Sequence, residues 1–529
     1  MTTATVSGGD SVGRPSHHPR LAVGAVLLGA FIASFDVRLL TLGLPDLRGQ
    51  FGLSFDEGSW LATASTAPQI LIAPAIAWLA TVFGLRRVMI WPSLLYVAVA
   101  LVIPFVRDYQ ALLALHLIRG LLLGVFIPAT IMIVLHNLPM GWWIVGLAAY
   151  SFRLTFTSNV GVSLVGFYVD QVGWQWLYWQ DAVVAVLMAL LTWLGTPRES
   201  VNRQLLARAD WGGMLLLGTG LALIYAGCDQ GNRLDWFESG TVTGLIVGGG
   251  ALVFAFLVNE AIVPEPWASP TVLMSRNIAL VLLTMMTYMV TSLSNTMLVP
   301  NFLIGVAGLR PEQAGGVLLL YTGLPLVVAV LAAVWLLRRV DARIVAVLGM
   351  TSFAIAAWMG TRITHEWAPD DFIPMALVQS VGQGLGFTGL LIFVVSNLNP
   401  ARATAFVAYI QVLRLDVLET AVTAMATLLR VREQVHSHLI GLYVSAGNSD
   451  VAQALGRLTD RFAQHGADAE AALARATTVL ASFVRREANV LSIIDGFQVA
   501  FWAAIVGLLL ISLMRPAPAG PLTPVGAKW

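Results

Sequence analysis

Charged side chains inside long apolar segments are the residues of this sequence whose types and spacing could do chemistry. Asp36 and Arg38 interrupt the apolar run LAVGAVLLGAFIASFDVRLLTLGL at residues 21–44. A charge at the centre of a bilayer costs about 2.5–3.5 kcal/mol on insertion scales, and such residues commonly mark ion or substrate pathways. A buried carboxylate can bind and release a proton, so Asp36 is a candidate for proton coupling; a purely structural ion pair is the alternative.

A second cluster of charges lies in QVLRLDVLET, residues 411–420, which contains Arg414, Asp416 and Glu419. The two carboxylates are three residues apart and therefore share one face of a helix. Their repulsion in a low dielectric favours the uptake of a proton by one of them. Asp416 and Glu419 are thus further candidates for proton coupling, and the alternative is a charge network with Arg414 and Arg153 that only holds helices together.

The elements that position these charges must be membrane helices. The chain of 529 residues is 57% hydrophobic and 11% charged, with a mean hydropathy of +0.79, whereas a soluble domain carries roughly 25% charged residues. A spanning helix needs about 20 mostly apolar residues. The sequence therefore predicts an all-α integral membrane protein with fourteen spans, near 21–44, 58–80, 87–105, 110–135, 139–168, 174–195, 211–228, 240–263, 277–303, 311–336, 342–360, 371–395, 401–429 and 493–514.

The spans group into two blocks of six around a central pair. Corresponding inner loops of the two blocks are similar, FGLRR at 83–87 and LRRVDAR at 337–343, and internal repeats around a midplane site are typical of secondary transporters. The predicted domains are a flexible tail 1–20, a six-helix bundle 21–195, a two-span linker 196–276, a second bundle 277–514 with an outer helical loop 430–492, and a tail 515–529. The concentration of arginines in the loops on the N-terminal side predicts cytoplasmic termini.

Several enzyme classes lack their residues here. Lys528 is the sole lysine, so no P-loop and no interior Schiff-base lysine can form. The sequence contains no HExxH motif, no GxSxG motif and no metal-ligand spacing, and its one cysteine, Cys228, excludes an intramolecular disulfide. We expect no enzymatic activity, no cofactor, no metal and no nucleic-acid partner, and we expect an ion gradient to supply energy.

Five segments resemble, in order and spacing, the motifs of the fourteen-span drug:proton antiporters of the major facilitator superfamily, the EmrB and QacA type. The resemblance rests on DVRLLTLGLP (36–45), GSWLATA (58–64), WQWLYWQD (174–181), CDQGNRLDWFES (228–239) and LVPNFLIGVAGLRPEQAG (298–315). A long loop before the last span, beginning LRVREQVHSHL at 429–439, is similar to the EmrB branch in particular.

The resemblance implies a major facilitator fold, with two six-helix bundles and two linker helices, in the cell inner membrane. It implies proton-driven efflux of lipophilic compounds by alternating access. In the EmrB branch the pump works with a periplasmic membrane-fusion adaptor and an outer-membrane channel, so such partners are expected. The loop 430–492 has heptad-like apolar spacing, which predicts two or three amphipathic helices. These could lie on the lipid surface, pack on the outer face or dock a partner.

Other motifs depart from the family pattern. In the inner-loop motif, AWLATVFGLRR (77–87), Thr81 replaces the aspartate of an inner gate, which leaves Arg86 and Arg87 to act at helix ends. The fifth-helix motif appears as GVSLVG, where Gly161 and Gly166 remain but the proline is absent. These two glycines can still admit a neighbouring helix closely, although the lost kink weakens the prediction of antiport.

The fourth-helix motif aligns on HLIRG (116–120), with His116 at the position of the family's arginine and Arg119 at that of its glutamine. Asp36 lies about 12 Å and Arg119 about 13.5 Å from the outer ends of their spans. Spans 1 and 4 line the cavity in the implied fold, so contact of Asp36 with Arg119 or His116 is expected. Arg38 lies about 200° around the helix from Asp36 and cannot pair with it; it joins another charge or reaches the interface.

Polar side chains of other spans are candidates for substrate contact, and bridging between helices is the alternative for each. Together with Arg38 and Arg414, Arg153 could attract an anion, which favours an importer or facilitator of aromatic or fatty acids as the alternative function. A non-transporting sensor is a third possibility. The candidates for substrate contact are Gln379, Gln383, Asn295, Tyr288 and Tyr321.

Overall fold

The structure is a computed structural model and describes residues 18–398, 403–445 and 447–517. Most of the predicted tails 1–20 and 515–529 lies outside these residues. The side chain of Arg38, one of the predicted network charges, also lies outside the described part. Within the described residues every regular element is helical.

Helices occupy all fourteen positions that the hydropathy pattern predicts, and we number them by span. They are α1 (Pro19–Leu42), α2 (Phe55–Phe83), α3 (Leu85–Val102), α4 (Tyr109–Met132), α5 (Trp143–Phe167), α6 (Trp176–Gly195), α7 (Trp211–Gly231), α8 (Gly240–Ile262), α9 (Arg276–Leu293), α10 (Leu324–Leu337), α11 (Ala342–Gly360), α12 (Ile373–Ser396), α13 (Leu418–Tyr443) and α14 (Ala469–Ser512). Shorter helices are Leu44–Phe51, Arg203–Ala207 and Ser449–Gln464.

Within the described residues three spans are interrupted by a π-helical turn, at which the chain inserts an extra residue into the helix, and two further π-helical turns, Ile133–Asn137 and Tyr168–Val172, end α4 and α5. Such turns occur most often at functional sites. In α9 the turn Ser294–Leu298 is followed by the helix Val299–Gly305. In α10 the turn Leu319–Gly323 is preceded by the helix Pro311–Leu318. In α13 the turn Leu413–Val417 is preceded by the helix Ala403–Val412. We use α9, α10 and α13 for these whole spans.

Twelve of the described helices are long and apolar enough to cross a membrane by length and composition, and α5 and α13 are not among them. These two are the spans in which polar and charged residues concentrate: α5 contains Arg153, and α13 contains Arg414, Asp416 and Glu419. Their surroundings in the bundle, rather than their own hydropathy, must therefore hold them in the membrane.

The helices pack as two halves and a linker pair. In the first half α1 packs on α5 and α6, α2 on α4, and α3 on α6; in the second α11 packs on α12, and α14 on α9, α11 and α13. The linker helices α7 and α8 pack on one another, and α7 also packs on α2. The halves meet where α5 contacts α10 and α12, and where α2 contacts the first part of α13.

Two glycines of α4 bring that helix against α2. A Cβ at Gly124 would lie 2.7 Å from the carbonyl oxygen of Gln69, and one at Gly120 would collide with the backbone of Ser65. Only a residue without a side chain allows this approach. The contact places Ser65 and Gln69 beside Arg119, the neighbour of Gly120 in sequence.

The segment 430–492, predicted as an outer loop, is helical in its described residues. The end of α13, the helix Ser449–Gln464 and the beginning of α14 make up the segment 430–492. At 44 residues, α14 is about 66 Å long, whereas the hydrocarbon core is about 30 Å thick. Roughly half of α14 therefore extends beyond the core.

Candidate functional site

Arg119 of α4 is the centre of a fully buried ion cluster. Its Nη1 pairs with Oδ1 of Asp36 from α1, and its Nη2 lies 3.0 Å from Oδ2 of Asp181 from α6. All three side chains have zero exposure. One guanidinium thus faces two carboxylates, and the cluster carries one surplus negative charge unless one carboxyl holds a proton.

Neutral donors complete this cluster. Gln69 Nε2 and Ser65 Oγ of α2 donate to Asp36 Oδ2 at 3.2 and 3.4 Å. The hydroxyl of Tyr96 donates to Asp181 Oδ2 at 2.9 Å. Buried carboxylates need such donors because burial removes them from bulk water. Four helices besides α4 therefore contribute a side chain, so a change of charge here is felt across most of the first half.

The sequence predicts part of this cluster correctly. Asp36 contacts Arg119, as their matched depths indicate, and not His116. Nδ1 of His116 lies 2.9 Å from the Leu112 carbonyl, and Nε2 lies 3.2 Å from the Tyr178 hydroxyl. Because a carbonyl only accepts, Nδ1 must carry a hydrogen, and the neutral ring can accept from Tyr178 at Nε2.

Asp181 is a residue that the sequence analysis missed. It ends the motif WQWLYWQD, whose tryptophans suggest an interfacial belt and draw attention away from the carboxylate. The available signal was its position inside a predicted span, since an acidic residue there calls for a partner.

Arg153 of α5 is equally buried but has a different environment. Its Nη1 donates to the Ala30 carbonyl at 2.7 Å and to Ser34 Oγ at 2.9 Å, and the guanidinium lies 4.6 Å from the ring centre of Tyr150. Its Nε and Nη2 have no hydrogen-bond partner among the side chains that the structure describes. Among the described residues no carboxylate pairs with Arg153.

Arg414 of α13 interacts electrostatically with Arg153, although the two belong to different halves. Glu419 is the acidic residue within range of Arg414. In the described part of the chain, Nε of Arg414, the hydroxyl of Thr157 and both amide atoms of Gln411 are buried without hydrogen-bond partners. The two arginines therefore form a positive junction between the halves, and the helices that carry them also carry buried polar atoms that could bind a ligand.

The second candidate pair for proton coupling faces the linker. Asp416 interacts with Glu419, as their spacing predicts, and also with Cys228 of α7. Glu419 interacts with Tyr225 of α7. The two carboxylates thus lie against a linker helix, which the sequence analysis did not assign to any site.

Three of the predicted substrate contacts lie at or beside a polar bridge between the halves. Asn159 of α5 accepts at its Oδ1 from Asn295 at 2.6 Å, and its Nδ2 donates to Gln383 at 3.0 Å. Gln379 donates to Ser294 at 3.2 Å. Asn159 itself was not among the predicted residues.

The other two candidates for substrate contact lie elsewhere. Tyr288 packs against the rings of Phe353 and Phe387, with centroids 5.6 and 5.5 Å away. Tyr321 is half-buried in the π-helical turn of α10. Neither side chain is part of the bridge.

The predicted gating residues lie where helix ends meet. Arg87 donates to the Phe83 carbonyl at 3.2 Å, and Arg86 lies 5.4 Å from the ring centre of Trp193. Gly161 and Gly166 are buried. The closest approach of another helix falls between them, where a Cβ at Gly315 of α10 would lie 2.5 Å from the Ser163 nitrogen.

Comparison with known proteins gives relatives whose names agree with the motifs. The chain is 22% identical over 293 residues to the multidrug export protein EmrB of Haemophilus influenzae, which is 55% of this chain and 57% of that protein. It is 23% identical over 291 residues to EmrB of Escherichia coli, with the same coverage. The match thus spans little more than half the length of these relatives.

A longer match joins the chain to the fatty acid resistance protein FarB of Neisseria gonorrhoeae, at 20% identity over 411 residues, 77% of this chain and 80% of FarB. Among solved structures, the proton:xylose symporter XylE aligns with a TM-score of 0.55 at 11% identity, covering 94% of this chain and 96% of XylE. That likeness shows the fold alone. Residues 26–414 match the Major Facilitator Superfamily, and the chain is a multi-pass membrane protein that belongs to that superfamily.

Proposed function

We propose that this protein is a proton-driven exporter of lipophilic compounds that works by alternating access in the cell inner membrane, with both termini in the cytoplasm. The observation that carries the proposal is the buried cluster in which Arg119 faces both Asp36 and Asp181. The multidrug export relatives support the direction and the substrate class.

The cluster can couple a proton to a change of helix contacts. With both carboxylates ionised, Arg119 ties α4 to α1 and to α6 at once. A proton on Asp36 removes the surplus negative charge and weakens the tie between α1 and α4, while the pair with Asp181 remains. Proton binding therefore changes which helices of the first half move together, and that is the requirement for coupling to the opening of either face.

A substrate would bind between the halves, where the bridge of Asn159, Asn295 and Gln383 crosses the interface. Amide side chains surrounded by apolar helices suit compounds with a large apolar body and a few polar atoms. Because the bridge consists of hydrogen bonds between neutral groups, a ligand can replace its partners without leaving a buried charge unpaired.

A second candidate cargo is an organic acid. The junction of Arg153 and Arg414 favours it, because the carboxylate of a fatty or aromatic acid could accept from the buried guanidinium nitrogens that lack partners. The name of FarB agrees with this cargo. Import or facilitated diffusion of such acids is the alternative to their export.

We also propose a periplasmic adaptor protein, leading to an outer-membrane channel, as the partner of the outer segment 430–492. Along α13 the exposed apolar residues Val431, Val435, Leu439 and Leu442 recur at helical spacing. A stripe of this kind on a helix that extends beyond the membrane suits a helical partner.

Transport by purified protein in proteoliposomes tests the proposal. With a pH gradient imposed, we expect gradient-dependent movement of a lipophilic dye by the wild type and its loss in Asp36→Asn and Asp181→Asn. Ser93→Ala is the matched control, because Ser93 is a buried residue of α3 that bonds only the Met89 carbonyl. A radiolabelled aromatic acid in parallel assays distinguishes the two cargoes. Normal coupled transport by both amide variants would contradict the assignment of the proton site.

A further inference from the structure

A column of polar side chains runs down α2 on one face of the helix. Its members Ser59, Thr63, Thr66 and Gln69 are spaced by four, three and three residues, the spacing of neighbours on a helix surface. At its inner end Gln69 bonds Asp36. The outer part faces α7, the linker helix that has no role in the site described above.

The outer end of the column reaches the surface through hydrogen bonds. Asp56, whose side chain is 71% exposed, lies 2.5 Å from Arg233, and Arg233 Nε donates to Gln230 Oε1 at 2.7 Å. Gln230 Nε2 donates to Thr63 Oγ1 at 2.6 Å, and the Thr63 hydroxyl donates to Asp229. A bonded path therefore connects an exposed carboxylate with the largely buried Asp229.

Tyr225 continues the path toward Asp36. It lies one turn from Asp229 on α7, and its side chain interacts with Thr66, Asp229 and Asp36. Acidic groups face this part of the path from two helices: Asp229 on α7, and Asp416 and Glu419 on α13, which interact with Cys228 and Tyr225. Arg233 is the basic residue that faces Asp229.

We propose that Asp229, Thr63, Tyr225 and Thr66 form the route by which a proton passes from the outer face to Asp36, so that the linker helix α7 is part of the coupling machinery. The inference rests on the proposed function, since it assumes that Asp36 binds the transported proton. It assigns Asp229 as the first proton acceptor. It also explains why acidic side chains gather beside a helix that lies outside both six-helix bundles.

The proton transfers balance without any co-reactant. A proton from outer water binds the Asp229 carboxylate. Each hydroxyl of the route, on Thr63, Tyr225 and Thr66, then takes up a proton on its oxygen and releases its own proton to the next acceptor. The route requires an ordered water between Thr66 and Asp36, which would pass the last proton to Oδ2 of Asp36. Asp229 is left as a carboxylate and takes its next proton from the outer face.

The competing explanation is that these bonds only fasten α7 to α2. Paired substitutions separate the two, because Thr63→Val removes the hydroxyl but keeps the shape, whereas Thr63→Ser keeps the hydroxyl. Likewise Asp229→Asn can still hydrogen-bond but cannot carry a proton as a carboxylate does, whereas Asp229→Glu can. Asn259→Ala is the control for a loosened linker, since Asn259 bonds Asp210 at 2.7 Å at the other end of the pair.

The experiment compares gradient-driven dye transport with dye exchange at equal pH in proteoliposomes. Exchange needs no net movement of protons. In Thr63→Val and Asp229→Asn we expect gradient-driven transport to slow roughly 10- to 100-fold, the scale of one positioned proton-transfer group, with exchange unchanged. Thr63→Ser, Asp229→Glu and Asn259→Ala should transport normally.

Two results would overturn the route. One is normal gradient-driven transport in Thr63→Val and Asp229→Asn. The other is a loss of dye exchange as large as the loss of gradient-driven transport in these two variants, which is expected if the bonds only hold α7 against α2. Asp36→Asn is assayed beside them. If it loses gradient-driven transport and keeps exchange while the route variants behave as wild type, the proposed function stands and the route falls. If dye transport by Asp36→Asn still follows the pH gradient, the proposed function is contradicted before the route is tested.

Discussion

Arg119 and Arg153 are both buried arginines of the first half, and they differ in what surrounds them. Arg119 has two carboxylates and a tyrosine hydroxyl around it, whereas Arg153 has a backbone carbonyl, a serine hydroxyl and a second arginine. The site at Arg119 has two carboxylates for one guanidinium group. At Arg153 no carboxylate of the described residues balances the guanidinium group. In a low dielectric each imbalance is expensive, so the first site suits a proton and the second an anion.

The largest difference between the two sites should be in stability. Removing Arg119 in Arg119→Leu leaves two carboxylates buried without a counter-charge, and we expect the unfolding free energy to fall by about 3–5 kcal/mol. Thermal unfolding in detergent measures the loss. Adding Asp36→Asn and Asp181→Asn to Arg119→Leu should recover much of it, and a triple variant as unstable as the single one would contradict this reading of the cluster.

The carboxylates of the cluster should act together rather than additively. Either Asp36→Asn or Asp181→Asn alone leaves a balanced pair with Arg119, so each should change stability little. The double variant leaves Arg119 unpaired, and we expect an extra cost of about 2 kcal/mol, within the range of coupling energies between contacting residues. A double-mutant cycle on unfolding measures this term, and simple additivity would show that the surplus charge does not exist.

Removing the arginine at the second site, Arg153, should change the unfolding free energy only slightly. Arg153→Met removes a charge that pairs with no carboxylate of the described residues, so we expect a change in unfolding free energy within about 1 kcal/mol, in either direction. Transport of a radiolabelled aromatic acid should fall in this variant, while transport of a lipophilic dye persists. A loss of stability as large as that of Arg119→Leu would show that Arg153 has an ionic partner after all.

The smallest prediction compares two tyrosines. Tyr96→Phe removes a hydrogen bond to Asp181 and should cost about 1 kcal/mol or somewhat more. Tyr150→Phe is the matched control, because among the described residues the Tyr150 hydroxyl bonds no carboxylate and its ring still lies beside Arg153. Equal thermal shifts in the two variants would remove the distinction between a hydroxyl that bonds a buried carboxylate and one that does not.

Depth in the membrane was enough to predict some of these contacts and not others. Asp36 and Arg119 could be matched because the two lie at the same depth and because Arg38, the other charge of the first span, lies on a different face of its helix. Asp181 could not be recognised as easily, since it follows three tryptophans that by themselves indicate an interface. Fourteen spans and the family also follow from hydropathy and motif order, which do not depend on side-chain packing.

Contacts that depend on how each helix is rotated about its own axis were harder to predict. Asp416 and Glu419 could be placed on one face of α13, but the sequence does not say that this face meets α7. The polar column of α2 consists of serine, threonine and glutamine residues, which are common in spans and stand out only when Asp229 and Tyr225 are placed beside them. The π-helical turn in α13 has no motif, and it alters the face on which each charge lies.

The surplus carboxylate at Arg119 can be tested directly by infrared spectroscopy of the protein in lipid at neutral pH. We predict that the protonated-carboxyl band includes the intensity of one carboxyl group that disappears in Asp36→Asn and equally in Asp181→Asn, because either variant leaves a single ionised carboxylate paired with Arg119. A spectrum in which both amide variants keep the full protonated-carboxyl intensity of the wild type would contradict a proton held by this cluster.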